Sequence, residues 1–221
     1  MAKKRTLLTC VFALLTGIHL DATLIMIDPA GHAKQTGRRL WNSYERAETY
    51  QCAQALKAEL EQRFVNVRVQ LTRTPGDEVV PLQNASFANR LAADCFLRIN
   101  FYKEQAEKSH MYLYHLMYDP IIDNAKRSVN PYSFIPIYQA HYQSIDTSLL
   151  IAQTIKDSCE QRIDQKLFEL HTVYGLPLKP LVGIVAPAII LEMGLKTDAQ
   201  WKSLITPLAD SIGSALKLNH I

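Results

Sequence analysis

Four polar side chains stand where chemistry could be done: His32, Glu45, Asn100 and Glu192. His32 follows the apolar run Thr23–Asp28 and the turn sequence Asp28-Pro29-Ala30-Gly31-His32. Asn100 lies near the end of the run Cys95–Phe101, and Glu192 closes Ala188-Ile-Ile-Leu-Glu-Met193. Glu45 sits in the first turn of a helical stretch. A histidine, two carboxylates and an amide around one rim suit metal-assisted hydrolysis: a held cation polarises a carbonyl and a carboxylate moves the proton. No serine stands in a nucleophile-elbow context and no glycine-rich phosphate loop is present. Each residue has a structural alternative. His32 can cap a turn, and Glu45 can complete a capping box with Asn42 and complement the helix dipole. Glu192 is harder to place structurally, because a carboxylate ending an apolar strand must be bonded or functional to offset its desolvation.

The positioning elements follow from periodicity. Residues 43–64 carry Ala53, Leu56, Leu60 and Phe64 at steps of three and four, the spacing of one helix face. Residues 66–73 alternate as a strand, 84–93 read as helix, and 95–101 and 110–118 as strands. Residues 120–143, with Pro120, Pro131 and Pro136, read as an irregular insertion, and 145–163 as helix. The strand 188–193 precedes Thr197-Asp-Ala-Gln200, a capping box for a final helix that Pro207 splits or kinks. Strands alternating with helices predict one α/β domain, a mostly parallel sheet with helices on both faces. Ligands of such sheets bind beyond the carboxyl ends of the strands, where the four polar residues fall.

Composition narrows the class. The chain has 221 residues, 48% of them apolar and 20% charged, which excludes a disordered chain. Its net charge of +3 gives no reason to expect nucleic-acid binding. Lys3, Lys4 and Arg5 precede the apolar stretch Thr6–Leu20 and then Asp21-Ala22, the layout of a secretory signal over residues 1–22. Without Lys3, Lys4, Arg5 and Asp21, 21 basic and 20 acidic residues remain, so the mature domain 23–221 is expected to be nearly neutral. The apolar stretch is too short for a stable membrane span. Cys52, Cys95 and Cys159, at spacings of 43 and 64, fit neither a disulfide framework nor a zinc ribbon. Cys52 and Cys95 are expected in the core.

These blocks, in order, resemble the zinc-dependent N-acetylmuramoyl-L-alanine amidases, whose pattern is approximately I-D-P-G-H-G-G, E-K with a following helix, V-x-x-T-R, A-N-x-x-x-A-D, S-I-H-A-N and P-A-x-L-x-E-x-G. Here they stand as Ile27-Asp-Pro-Ala-Gly-His32, Glu45-Arg46, Val69-Gln-Leu-Thr-Arg73, Ala88-Asn-Arg-Leu-Ala-Ala-Asp94, Arg98-Ile-Asn-Phe-Tyr102 and Pro187-Ala-Ile-Ile-Leu-Glu-Met-Gly194. The match runs over residues 23–206. The resemblance implies an α/β hydrolase of peptidoglycan in the periplasm or cell envelope. Zinc would be held by His32, Glu45 and the residue at position 100, with Glu192 as general base for cleavage between N-acetylmuramic acid and L-alanine.

The departures fall on the metal. The third ligand of the family, a histidine, is Asn100 here, and an amide oxygen is a much poorer zinc ligand than imidazole. Ala33-Lys34 replace the family's Gly-Gly, Ala30 is inserted before Gly31, and His32 and Glu45 are 13 apart. Two readings follow: an exported zinc amidase, or a metal-poor relative that binds peptidoglycan or an envelope protein partner without cutting it. His115 is the one stand-in for the missing histidine on a neighbouring strand, while His110, His141 and His171 are expected in or near loops. Seven of the ten tyrosines fall between residues 102 and 142, where they could form an aromatic wall for a glycan or stem peptide or simply stand on an exposed strand and flap.

Overall fold

A computed structural model describes residues 22–117 and 137–221. The expected signal segment 1–22, apart from Ala22, and most of the expected insertion 120–143 lie outside the described residues. The strands are β1 (Thr23–Pro29), β2 (Val67–Leu71), β3 (Cys95–Lys103), β4 (Ser109–Leu116), β5 (Phe168–Leu176) and β6 (Ala188–Leu195). The α-helices are α1 (Glu45–Arg63), α2 (Pro81–Arg90), α3 (Ile145–Arg162) and α4 (Ile205–Leu216). Among the described residues no helix is long and apolar enough to cross a membrane.

The strands form one sheet in the order β2-β1-β3-β6-β4-β5. All neighbours are parallel except β4 and β6, which are antiparallel. The predicted mostly parallel α/β sheet with helices on both faces is therefore what the chain forms. Strand alternation divides the side chains between the faces. Ile25, Ile27, Leu97, Ile99, Leu191 and Met193 enter the larger core with α1, α3 and α4; Met26, Phe96 and Ile190 enter the smaller one with α2. Further along that second face toward the carboxyl ends of β3 and β6, the side chains turn polar: Arg98, Asn100 and Glu192. The rim lies there.

Elements differ from the sequence expectation where edges and loops decide. Strand β5 was not anticipated. It is an edge strand alternating between buried Phe168 and exposed or half-buried Glu169, His171 and Tyr174, so it lacks the apolar run of β1 or β6. Helix α2 begins at Pro81, three residues earlier than expected, with proline in the first turn where no N–H is needed. The expected capping box at 197–200 is absent as such, since Gln200 Oε1 accepts the Lys196 N–H (2.6 Å) rather than that of Thr197; Asp198 accepts the backbone N–H groups of Trp41 (3.0 Å) and Asn42 (2.7 Å), tying the loop before α1 to the far end of the chain. A 3₁₀ turn over Gln200–Leu204 gives way to α4 at Ile205, so the irregularity precedes Pro207.

All three described cysteines are free and buried. Burial, the larger cause, and the nearby charge of Asp94 push the Cys95 thiol up to about 12. Burial also raises Cys159, to about 11, while its Sγ donates to Ser211 Oγ at 3.3 Å.

Helix α4 meets α1 at a contact with no spare volume. A Cβ on Gly213 would lie 2.2 Å from Cζ of Phe64, a fully buried ring. Gly213→Ala is expected to cost about 1–3 kcal/mol by overpacking, read as a lower urea midpoint at unchanged slope. An unchanged midpoint would mean that the Phe64 ring moves aside freely.

Candidate functional site

Glu45 is set by the start of its helix. The first N–H groups of α1 find carbonyls in the preceding loop: Glu45 N–H donates to Arg38 O (2.8 Å) and Arg46 N–H to Thr36 O (3.0 Å). The residue before the helix, Tyr44, gives no side-chain cap. Glu45 is thus free of the capping-box role with Asn42. Its Oε2 accepts the Arg38 backbone N–H at 3.0 Å, and its Oε1 accepts the Phe101 N–H of β3 at 3.0 Å. Gly37, at φ +72°, makes this approach: a Cβ there would stand 2.7 Å from Glu45 Oε2. The buried carboxylate is satisfied on both oxygens and pins loop, helix and sheet together.

Asn100 and Glu192 are direct partners in the β3–β6 register. Glu192 accepts at both oxygens as well. Arg38 Nη1 lies 2.6 Å from Oε1, and Tyr114 Oη donates to Oε2 at 3.1 Å. Burial, then the charge and hydrogen bond of Glu192, push the Tyr114 phenol upward, so it stays protonated as a donor. For Arg38, burial acts to lower the pKa, but the Glu192 hydrogen bond and the charges of Glu192 and Glu45 outweigh it, and the net shift is upward. The guanidinium also lies 5.7 Å over the Tyr102 ring, within cation–π range.

On the other side of Asn100, Arg98 Nε donates to its Oδ1 at 3.0 Å. The same guanidinium pairs with Asp28, its register partner on β1. Asp28 is 3% exposed and also accepts from Thr72 Oγ1 (2.7 Å) and Asn84 Nδ2 (2.9 Å). His32 follows in a turn closed by reciprocal backbone hydrogen bonds with Gln35. It lines a cavity of about 160 Å³ with Asp28, Gln35, Arg73, Asn84 and Arg98, and its Nδ1 is buried without a hydrogen-bond partner.

The structure thus gathers Glu45, Asn100 and Glu192 at the carboxyl ends of the parallel strands, and His32 lines a cavity with Arg98, the residue that bonds Asn100. His115 does not substitute for the missing imidazole. It alternates onto the face of Leu113, opposite Tyr114 and Glu192, and burial lowers its pKa. His110 and His171 lie on β4 and β5 rather than in loops, each against Tyr112; the His171 and Tyr112 rings stack at 4.3 Å. Arg38 and Arg98 are the site residues that sequence reasoning missed. Arg98 carried a signal, an arginine inside an apolar strand; Arg38, in an aperiodic loop, carried none.

The donor set can be tested against a zinc ion. Catalytic zinc needs three strong protein donors with access to the metal. Among the described residues no group of three or more His, Cys, Asp or Glu side chains is placed to hold a metal. Asn100 Oδ1 is neutral and already bonded to a guanidinium, and a second guanidinium stands against Glu192. Only the unpaired Nδ1 of His32 speaks for a missing ligand. Of the three expected ligands His32 and Glu45 are strong donors and Asn100 is not, so the set is one strong donor short of a three-ligand centre.

The chain belongs to the N-acetylmuramoyl-L-alanine amidase family, which it matches over residues 25–213, and so to that class of peptidoglycan hydrolases. Solved structures share the fold. An N-acetylmuramoyl-L-alanine amidase from Clostridium difficile 630 is similar at TM-score 0.62 and 18% identity, over 89% of this chain and 96% of that one. The amidase AmiC2 of Nostoc punctiforme gives TM-score 0.59 at 18% identity, over 88% and 94%. The CwlD amidase from Clostridioides difficile, solved in complex with the GerS lipoprotein, gives 0.58 at 12% identity, over 88% and 96%. Comparison with curated protein sequences gives no match.

Proposed function

We propose that this member of the amidase class is an exported, peptidoglycan-directed protein. Its rim holds the junction between N-acetylmuramic acid and L-alanine without a bound zinc ion. The observation that carries this is the pairing of Arg38 with Glu192 beside Asn100: the carboxylate at the base position is matched by a guanidinium, and the third ligand position is an amide. Family membership supports peptidoglycan as the ligand, and the basic start with its apolar run supports export to the periplasm or envelope. An envelope protein is the alternative partner.

Retention of the uncut ligand is the second reading, favoured by the Arg38–Glu192 pair; hydrolysis of that amide is the activity of the class, supported here by the place of Glu192 in the block Pro187–Gly194. In hydrolysis Glu192 takes the proton of an attacking water and passes it to the leaving amine, with Tyr114 and Arg38 fixing the carboxylate. One incubation separates the two. Purified protein is expected to bind a muramoyl-peptide and release a free L-alanine amino terminus, read by mass spectrometry. Binding that leaves the ligand intact with protein in excess would establish the non-cutting reading instead, and absence of binding would remove peptidoglycan as the ligand.

A further inference from the structure

Arg38 is not an ordinary surface arginine. Its main-chain N–H is fixed on Glu45 and its Nη1 on Glu192, so one residue joins both acidic groups of the rim. Gly37, left-handed just before it, sets the direction of the chain there. Tyr102 underlies the guanidinium and is itself confined: a Cβ on Gly194 would come within 2.8 Å of its ring, and its hydroxyl donates to Glu104 at 2.9 Å. A guanidinium presents five donors in a planar fork that matches a carboxylate. Among the described residues only Nη1 of Arg38 is used, and the side chain is half-exposed.

We propose that Arg38 is the resident cation of the rim: its charge takes the role of a dication beside Glu45 and Glu192, and its unspent N–H donors receive a carboxylate of the ligand. The carboxylate half rests on the peptidoglycan reading, since a stem peptide carries such groups; the charge half does not. A divalent ion approaching these carboxylates would meet a positive charge already held 2.6 Å from Glu192, which opposes it. A peptide carboxylate meets that charge favourably, as a charge-assisted and potentially bidentate pair.

Two titrations of the purified full chain test this. In the first, zinc is added to wild type, Asn100→His, and Asn100→His combined with Arg38→Gln. Wild type is expected to take up no stoichiometric zinc, and the double variant to bind it at least roughly tenfold more tightly than Asn100→His alone. One equivalent of zinc on wild type, or equal affinity in the two variants, overturns the charge half. In the second, muramoyl-peptides with free and with amidated carboxylates are compared. Wild type is expected to prefer the free acid by roughly tenfold, and Arg38→Gln to lose that preference while still binding the amidated form. Equal affinity of wild type for both ligands overturns the carboxylate half and leaves the peptidoglycan reading standing; binding of neither overturns that reading together with the carboxylate half, while the zinc titration still decides the charge half. Near-ultraviolet circular dichroism confirms that each variant is folded.

Discussion

Asp28→Ala is expected to lose about 3–5 kcal/mol of stability, the usual cost of removing one partner from a buried ion pair. The carboxylate is 3% exposed and receives Thr72, Asn84 and Arg98. Its removal leaves the Arg98 guanidinium, whose side chain is 19% exposed, short of water and of its counter-charge. The Asn84 amide and the Thr72 hydroxyl lose their acceptor too. The effect extends to the rim, because the same guanidinium orients Asn100 through Nε. Urea unfolding should show the full loss, and muramoyl-peptide affinity should fall with it. Asp28→Asn, which keeps the shape and some acceptors, should fall in between. A loss below about 1 kcal/mol for Asp28→Ala would mean that Arg98 finds another partner, and that the network does not hold the site.

The second large effect is expected at Glu45. Glu45→Ala leaves two N–H groups, those of Arg38 and Phe101, without acceptors. Each unsatisfied buried donor costs about 1–3 kcal/mol, so roughly 2–6 kcal/mol in all is expected. Glu45→Gln keeps one acceptor oxygen and turns an N–H donor toward the other amide, so it should recover only part of the loss. Hydrogen exchange gives the local reading: the Phe101 and Arg38 amides should lose protection well before the centre of β3. Unchanged protection at both would contradict the role assigned to this carboxylate, and would return Glu45 to a surface helix-dipole function.

Much of this was legible in the sequence, for identifiable reasons. Strands β1, β3 and β6 are central and parallel, so their apolar runs announce them. Strand β5 is an edge and half-wet, so Phe168–Leu176 alternates too weakly to be read. Asn100 and Glu192 could be located because strand ends fix where ligands bind, and they proved to be register partners. Glu45 was located at its helix start, but its bonds were not foreseeable, since Phe101 is 56 residues away. Arg38 is the clearest loss: its partner Glu192 lies 154 residues on, and nothing in the loop 31–44 predicts that meeting. Tertiary closure also engages the box at 197–200: Gln200 Oε1 accepts from Ser109 Oγ, and Asp198 accepts from the N–H groups of Trp41 and Asn42. Local propensity reads local bonds; the charge balance of the rim was set by tertiary closure.

The rim is expected to recognise peptidoglycan without a metal. Calorimetric titration of a muramoyl-peptide into the protein before and after exhaustive chelation, followed by addition of one equivalent of zinc, tests this. The same affinity is expected in all three titrations, within about twofold, with cleavage of the ligand unchanged by chelation or by zinc. Binding or cleavage that disappears on chelation and returns with stoichiometric zinc would contradict it.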